Sequence, residues 1–184
     1  MCGLCLLALA VVWGCGGSAG GKRQSGSAGD TVYIEGKVSL RGSLPFALLL
    51  LEGNDGQVYM IDASPKADEL KHLQDMPVGV TAKILPEVKG DAPALSVSAY
   101  ELLPLATGER PVVGIVVTAS PDQVAIMAED DSVWVIEGEF ETVFFGLEGA
   151  KIWIVGDRRV SVNTSGGNLR TILVKEYGII REPQ

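Results

Sequence analysis

Three cysteines, one histidine and two matched aromatics are the residues of this chain from which chemistry could be built. The cysteines are Cys2, Cys5 and Cys15, all within the first fifteen positions. Nothing after Cys15 can therefore supply a disulfide framework, a zinc ribbon or a thiol nucleophile. His72 is alone and cannot build a multi-histidine metal site. The carboxylates Asp55 and Glu129-Asp130-Asp131 fall in predicted turns, without the spaced loop that calcium requires. Glu137, Glu139 and Glu141 approach a predicted helix, where the helix dipole alone accounts for them. No G-x-S-x-G elbow is present, and Gly166-Gly167 lacks the strand and helix that frame a phosphate loop. No catalytic residue, metal site or cofactor is expected. Tyr59 and Trp134 remain. They occupy the same place in two related segments. They either pack inside the fold or offer a contact surface to a peptide, a glycan or a partner protein.

The surroundings of Cys15 are informative. Leu4 to Trp13 is an apolar run of about ten residues, too short for a bilayer-spanning helix, which needs roughly 20. It has the length of the apolar region of a secretory signal. The run ends in Val12-Trp13-Gly14-Cys15, which resembles the lipobox of bacterial lipoproteins: aliphatic at −3, small at −1, then cysteine. Trp13 at −2 and the lack of a preceding Lys or Arg depart from that pattern. The resemblance implies a signal peptide over residues 1–14, a diacylglyceryl group on the Cys15 thiol and acylation of the new amine. Residues 16–30 are rich in Gly, Ser and Ala and cannot bury a face, so they read as a flexible tether. The implied location is the bacterial cell envelope. Gly16, where Asp would retain a lipoprotein at the inner membrane, favours the outer one in a two-membrane host.

These candidates must be positioned by a body that reads as two copies of one pattern, residues 31–108 and 109–184. Val32-x-x-x-Gly36-x-Val38 corresponds to Val112-x-Gly114-x-Val116, and Val58-Tyr59-Met60-Ile61 to Val133-Trp134-Val135-Ile136. Leu73 and Val78 correspond to Leu147 and Ile152, and Tyr100 to Tyr177. Each copy predicts three strands, a short helix and two more strands. Asn54-Asp55-Gly56 supplies the turn between strands two and three of the first copy. Ser64-Pro65 supplies N-cap and first helical residue, with Leu70 and Leu73 facing inward. Trp153, Phe144 and Phe145 read as core. The element order resembles an OB-fold, a small Greek-key barrel with a helix between strands three and four. The expected fold is all-β with short helices: two tandem five-stranded OB-like barrels. The alternative is one larger lipocalin-like barrel carrying an apolar small molecule.

Charge bears on the partner. The chain carries a net −8 with a pI near 4.7, and the two copies carry −4 and −5. Aromatics on strands two and three of OB domains can stack on bases, but that use also needs a basic groove. The acidic balance therefore reads against nucleic acid. The expected function is that of a membrane-anchored, non-catalytic binding or assembly module, meeting an envelope protein, peptide or glycan through its strand faces or the loops at 86–93 and 163–168.

Overall fold

The computed structural model describes residues 29–43, 47–89, 92–162 and 168–183. The signal, Cys15 and the tether up to residue 28 lie outside them, as do parts of both proposed binding loops. The first half contains β1 (Thr31–Arg41), β2 (Leu48–Gly53), β3 (Val58–Ile61), α1 (Pro65–Leu70), β4 (Pro77–Lys89) and β5 (Ala92–Leu102). The second contains β6 (Val112–Ser120), β7 (Gln123–Ala128), β8 (Val133–Glu137), α2 (Glu141–Phe145), β9 (Lys151–Val162) and β10 (Asn168–Arg181). Among the described residues, no helix is long and apolar enough to cross a membrane.

Two closed barrels form, in the orders β1-β2-β3-β5-β4 and β10-β8-β7-β6-β9. Each has a single parallel pair, β3 with β5 and β8 with β10, and is otherwise antiparallel. This is the OB-like Greek key, twice. Two five-stranded barrels stand where the alternative, one larger barrel with a carrier lumen, would need strands shared between the halves. The ladders match position by position. Val38 pairs with Leu51, which pairs with Tyr59; Val116 pairs with Ile126, which pairs with Trp134. Val80 pairs with Tyr100 as Ile154 pairs with Tyr177.

The glycine at the centre of each first strand is where the barrel closes. Gly36 pairs with β2 on one side and β4 on the other, and Gly114 likewise with β7 and β9. A Cβ on Gly36 would run into the Glu52 carbonyl, and one on Gly114 into the Met127 carbonyl. Backbone cannot yield as a side-chain tip can. Gly114→Val is expected to destabilise the chain by about 2–3 kcal/mol, as overpacking does. A denaturant midpoint equal to wild type would show that the strands separate at no cost.

Helix α1 starts as its sequence dictates. Ser64 Oγ accepts from the Ala67 amide at 3.1 Å and Pro65 takes the first helical turn. Leu70 and Leu73 are fully buried beneath it. The second helix has no side-chain cap. Its Phe144 is buried and meets Tyr177 edge-on with centroids 4.9 Å apart. Phe145 is a correction: it is 40% exposed. A five-residue helix has one inward stripe, and adjacent residues cannot both lie on it.

The strongest packing lies between the barrels. Lys151 to Val155 is buried without a break, the mark of a strand covered on both faces. Ile152 and Ile154 face the interior of the second barrel, and Trp153 and Val155 join the core cluster of the first. Gly178, opposite Trp153, leaves the space that the indole fills. Beside this apolar seam, the Glu69 carboxylate of α1 accepts from Tyr100 Oη at 2.6 Å and from Lys151 Nζ at 3.1 Å. Lys66 Nζ stands 3.6 Å from the same carboxylate, Arg181 3.7 Å. Lys151 also reaches Glu129 at 3.0 Å.

Candidate functional site

Tyr59 and Trp134 are equivalent in register and in local chemistry. Each is tied to the turn before it. Tyr59 Oη donates to Gln57 Oε1 at 3.1 Å and reaches Asp55 at 3.3 Å. Trp134 Nε1 donates to Ser132 Oγ at 2.9 Å. Both turns are held by an aspartate accepting from the amide two residues on, Asp55 from Gln57 and Asp130 from Ser132. The hydrogen bonds from Ser132, helped by the charge of Arg170, hold the Asp130 carboxyl below its usual range.

The two ends then diverge. Tyr59 is 4% exposed and belongs to the first core, so its reading as a contact surface is corrected. Its ring fills the interior, and its hydroxyl, though beside a cleft of about 160 Å³, is occupied by the turn. Burial and Asp55 push that hydroxyl's pKa up. Trp134 is half-buried, packed against the second core on one side. Two arginines stand over its ring, Arg158 at 5.5 Å and Arg170 at 5.8 Å from the centroid.

Those arginines come from a feature the sequence reading stopped short of. Strand β9 runs on past its buried stretch to Val162, paired with β10 from Asn168. The result is a hairpin arm beyond the barrel. Directly opposed residues share a face of a sheet. Arg158 opposite Ile172, Val160 opposite Arg170 and Val162 opposite Asn168 therefore form the face continuous with the barrel interior, where Trp134 sits. Arg159, opposite Thr171, points to the other face. Val160 and Val162 are 62% and 72% exposed. Arg158 also donates to the Arg110 carbonyl, which binds the arm's base to the link between the barrels. The adjoining cleft, about 310 Å³, runs from Tyr100 and Leu102 of the first barrel to Arg110, Trp134 and Arg158 of the second. Glu101, Glu129 and Asp130 also border it.

Ion pairing separates these arginines from most of the other cations. Lys37, Arg41, Lys66, Lys71, Lys151, Lys175 and Arg181 each lie within 4 Å of a carboxylate. Among the described residues, Arg110, Arg158, Arg159 and Arg170 enter no such pair. His72 is exposed in the turn after α1. Among the described residues, no three His, Cys, Asp or Glu side chains gather as a metal site would require.

No protein-family model matches the chain, and no curated protein matches it. Among solved structures, it is similar to the wild-type single-stranded DNA binding protein from Thermus aquaticus, at 11% identity and a TM-score of 0.27, over 86% of this chain and 95% of that one. The exclusion of nucleic acid rested on net charge, and that ground is corrected here. Its physical flaw is plain in the geometry. Net charge is a sum over the surface, and a sum of −8 conceals two arginines over one tryptophan and a third on the adjoining cleft.

Proposed function

We propose that this chain is a membrane-tethered envelope lipoprotein acting as a non-catalytic binding module, with the Trp134 end of the second barrel as its binding face. The observation that carries the reading is the divergence of two equivalent positions. Tyr59 is sealed into its core, whereas Trp134 lies beneath Arg158 and Arg170 at the edge of a cleft. A module that used both barrels alike would show the same end twice.

The tether follows from the Val12-Trp13-Gly14-Cys15 segment. Acyl chains on Cys15 would each add about 0.8 kcal/mol per buried CH₂, and two or three hold a protein where one does not. The Gly/Ser-rich stretch after it would give the barrels a reach of roughly 20 Å. The first barrel then serves as the rigid mount, locked to the second through Trp153 and Glu69. The expected location is the envelope, at the outer membrane in a two-membrane host.

Cys15→Ala is expected to move the protein from the membrane pellet to the soluble fraction and to abolish incorporation of labelled palmitate. A Cys15→Ala chain that stays with membranes after detergent-free fractionation would overturn the anchor.

A further inference from the structure

We infer that the Trp134 face takes a phosphate ester, held by Arg158 and Arg170 with Arg110 at the mouth of the cleft. This rests on the binding-face reading above and assigns it a ligand class. Three features carry it. First, in a chain whose other cations are mostly committed to carboxylates, these arginines are outside every ion pair. Glu101, Glu129 and Asp130 border the cleft, but none pairs with these arginines, whose donors are left to take an anion. Second, the guanidinium groups are held in place. Arg158 is tied to the Arg110 carbonyl, and both Arg158 and Arg170 stand over the indole. A planar fork fixed by stacking forms bidentate bonds to phosphate with little further ordering. Third, the indole face is roofed. A base could stack on Trp134 only by displacing two guanidinium groups, so the exposed chemistry is cationic rather than aromatic.

Charge number favours phosphate over a carboxylate. Two or three guanidinium forks offer more donors than one carboxylate can accept, whereas the several oxygens of a phosphate match them. The exposed Val160 and Val162 continue the same face outward and would lie along the organic part of the ester. The phosphate can come from a soluble ester or from a lipid headgroup. The recognition chemistry is shared.

The test uses the full chain, ¹⁵N-labelled, with the Trp134 indole resonance assigned by its loss in Trp134→Phe. Pyrophosphate is titrated at constant ionic strength, with acetate as control. A saturable shift of that resonance by pyrophosphate and not by acetate is expected, weakened at least tenfold in an Arg158→Gln/Arg170→Gln chain. The double variant removes one exposed and one half-buried group, neither in an ion pair, and is expected to keep the wild-type melting curve. No saturable shift, an equal shift with acetate, or an undiminished one in the double variant would overturn the proposal. Glycerol phosphate and phosphatidylglycerol vesicles then distinguish the source, and binding of either that fails in the double variant supports the shared chemistry. Tighter binding of a thymidine oligonucleotide that survives in the double variant but fails in Trp134→Ala would overturn it in favour of base stacking. Should phosphate fail while an envelope fraction still protects the same strands from exchange, the ligand class falls and the binding face stands.

Discussion

Trp153→Ala will lower the stability of the whole chain by about 3–5 kcal/mol, the range for truncating a buried aromatic. The indole is 6% exposed, lies on the outer face of the second barrel and packs into the core cluster of the first. Truncation leaves a cavity shared by both barrels, rimmed by Val155, Ile180 and the Gly178 backbone. Neither barrel can collapse to fill it without loosening its hold on the other. Denaturant unfolding followed by circular dichroism should show one cooperative transition in the wild type and an early, broadened one in the variant. A variant with the wild-type midpoint would mean that the barrels are independent and merely adjacent.

Glu69→Ala will cost about 3 kcal/mol, at the lower end for breaking one side of a buried pair. The Glu69 side chain is 10% exposed and Lys151 is 11% exposed. Removing the carboxylate leaves the Lys151 ammonium with only the exposed Glu129 and frees the Tyr100 hydroxyl. The same group sets an acid limit. Burial alone would raise the Glu69 pKa, but the bonds from Tyr100 and Lys151 and the charges of Lys151 and Lys66 outweigh it and hold it below the usual range. A carboxyl whose folded pKa is depressed contributes stability that is complete above its unfolded pKa, near 4.5. That contribution is lost as pH falls through the folded value. Wild-type stability should thus decline below about pH 4.5, and Glu69→Ala should flatten part of that decline. Parallel pH profiles would show that Glu69 carries none of the acid sensitivity. The Tyr100 hydroxyl, raised by burial and by Glu69, stays protonated throughout.

Much of the architecture was legible because local chemistry and fold agree. Gly36 and Gly114 mark the closing strands, Ser64-Pro65 starts α1, and the matched blocks give Tyr59 and Trp134 equivalent positions in their ladders. The functional end was harder to read. Asp157-Arg158-Arg159 breaks the apolar run after Val155, and an exposed strand need not alternate in hydropathy, so the outer half of β9 carried no strand signal. Its arginines were present in the net charge only as a sum. The burial of Tyr59 and the exposure of Trp134 were not separable from composition, since both positions follow the same turn and strand pattern. Lys151-Ile152-Trp153-Ile154-Val155 did contain the signal of a second covered face, and the covering element proved to be the other barrel.

Hydrogen–deuterium exchange of the full chain, with and without a solubilised envelope fraction, tests the central claim most directly. Protection gained by β8 and by the arm of β9 and β10, and absent from β3 around Tyr59, is the predicted result, and it should vanish in Trp134→Ala. Protection of both barrel ends alike, or of neither, would contradict a binding face at Trp134.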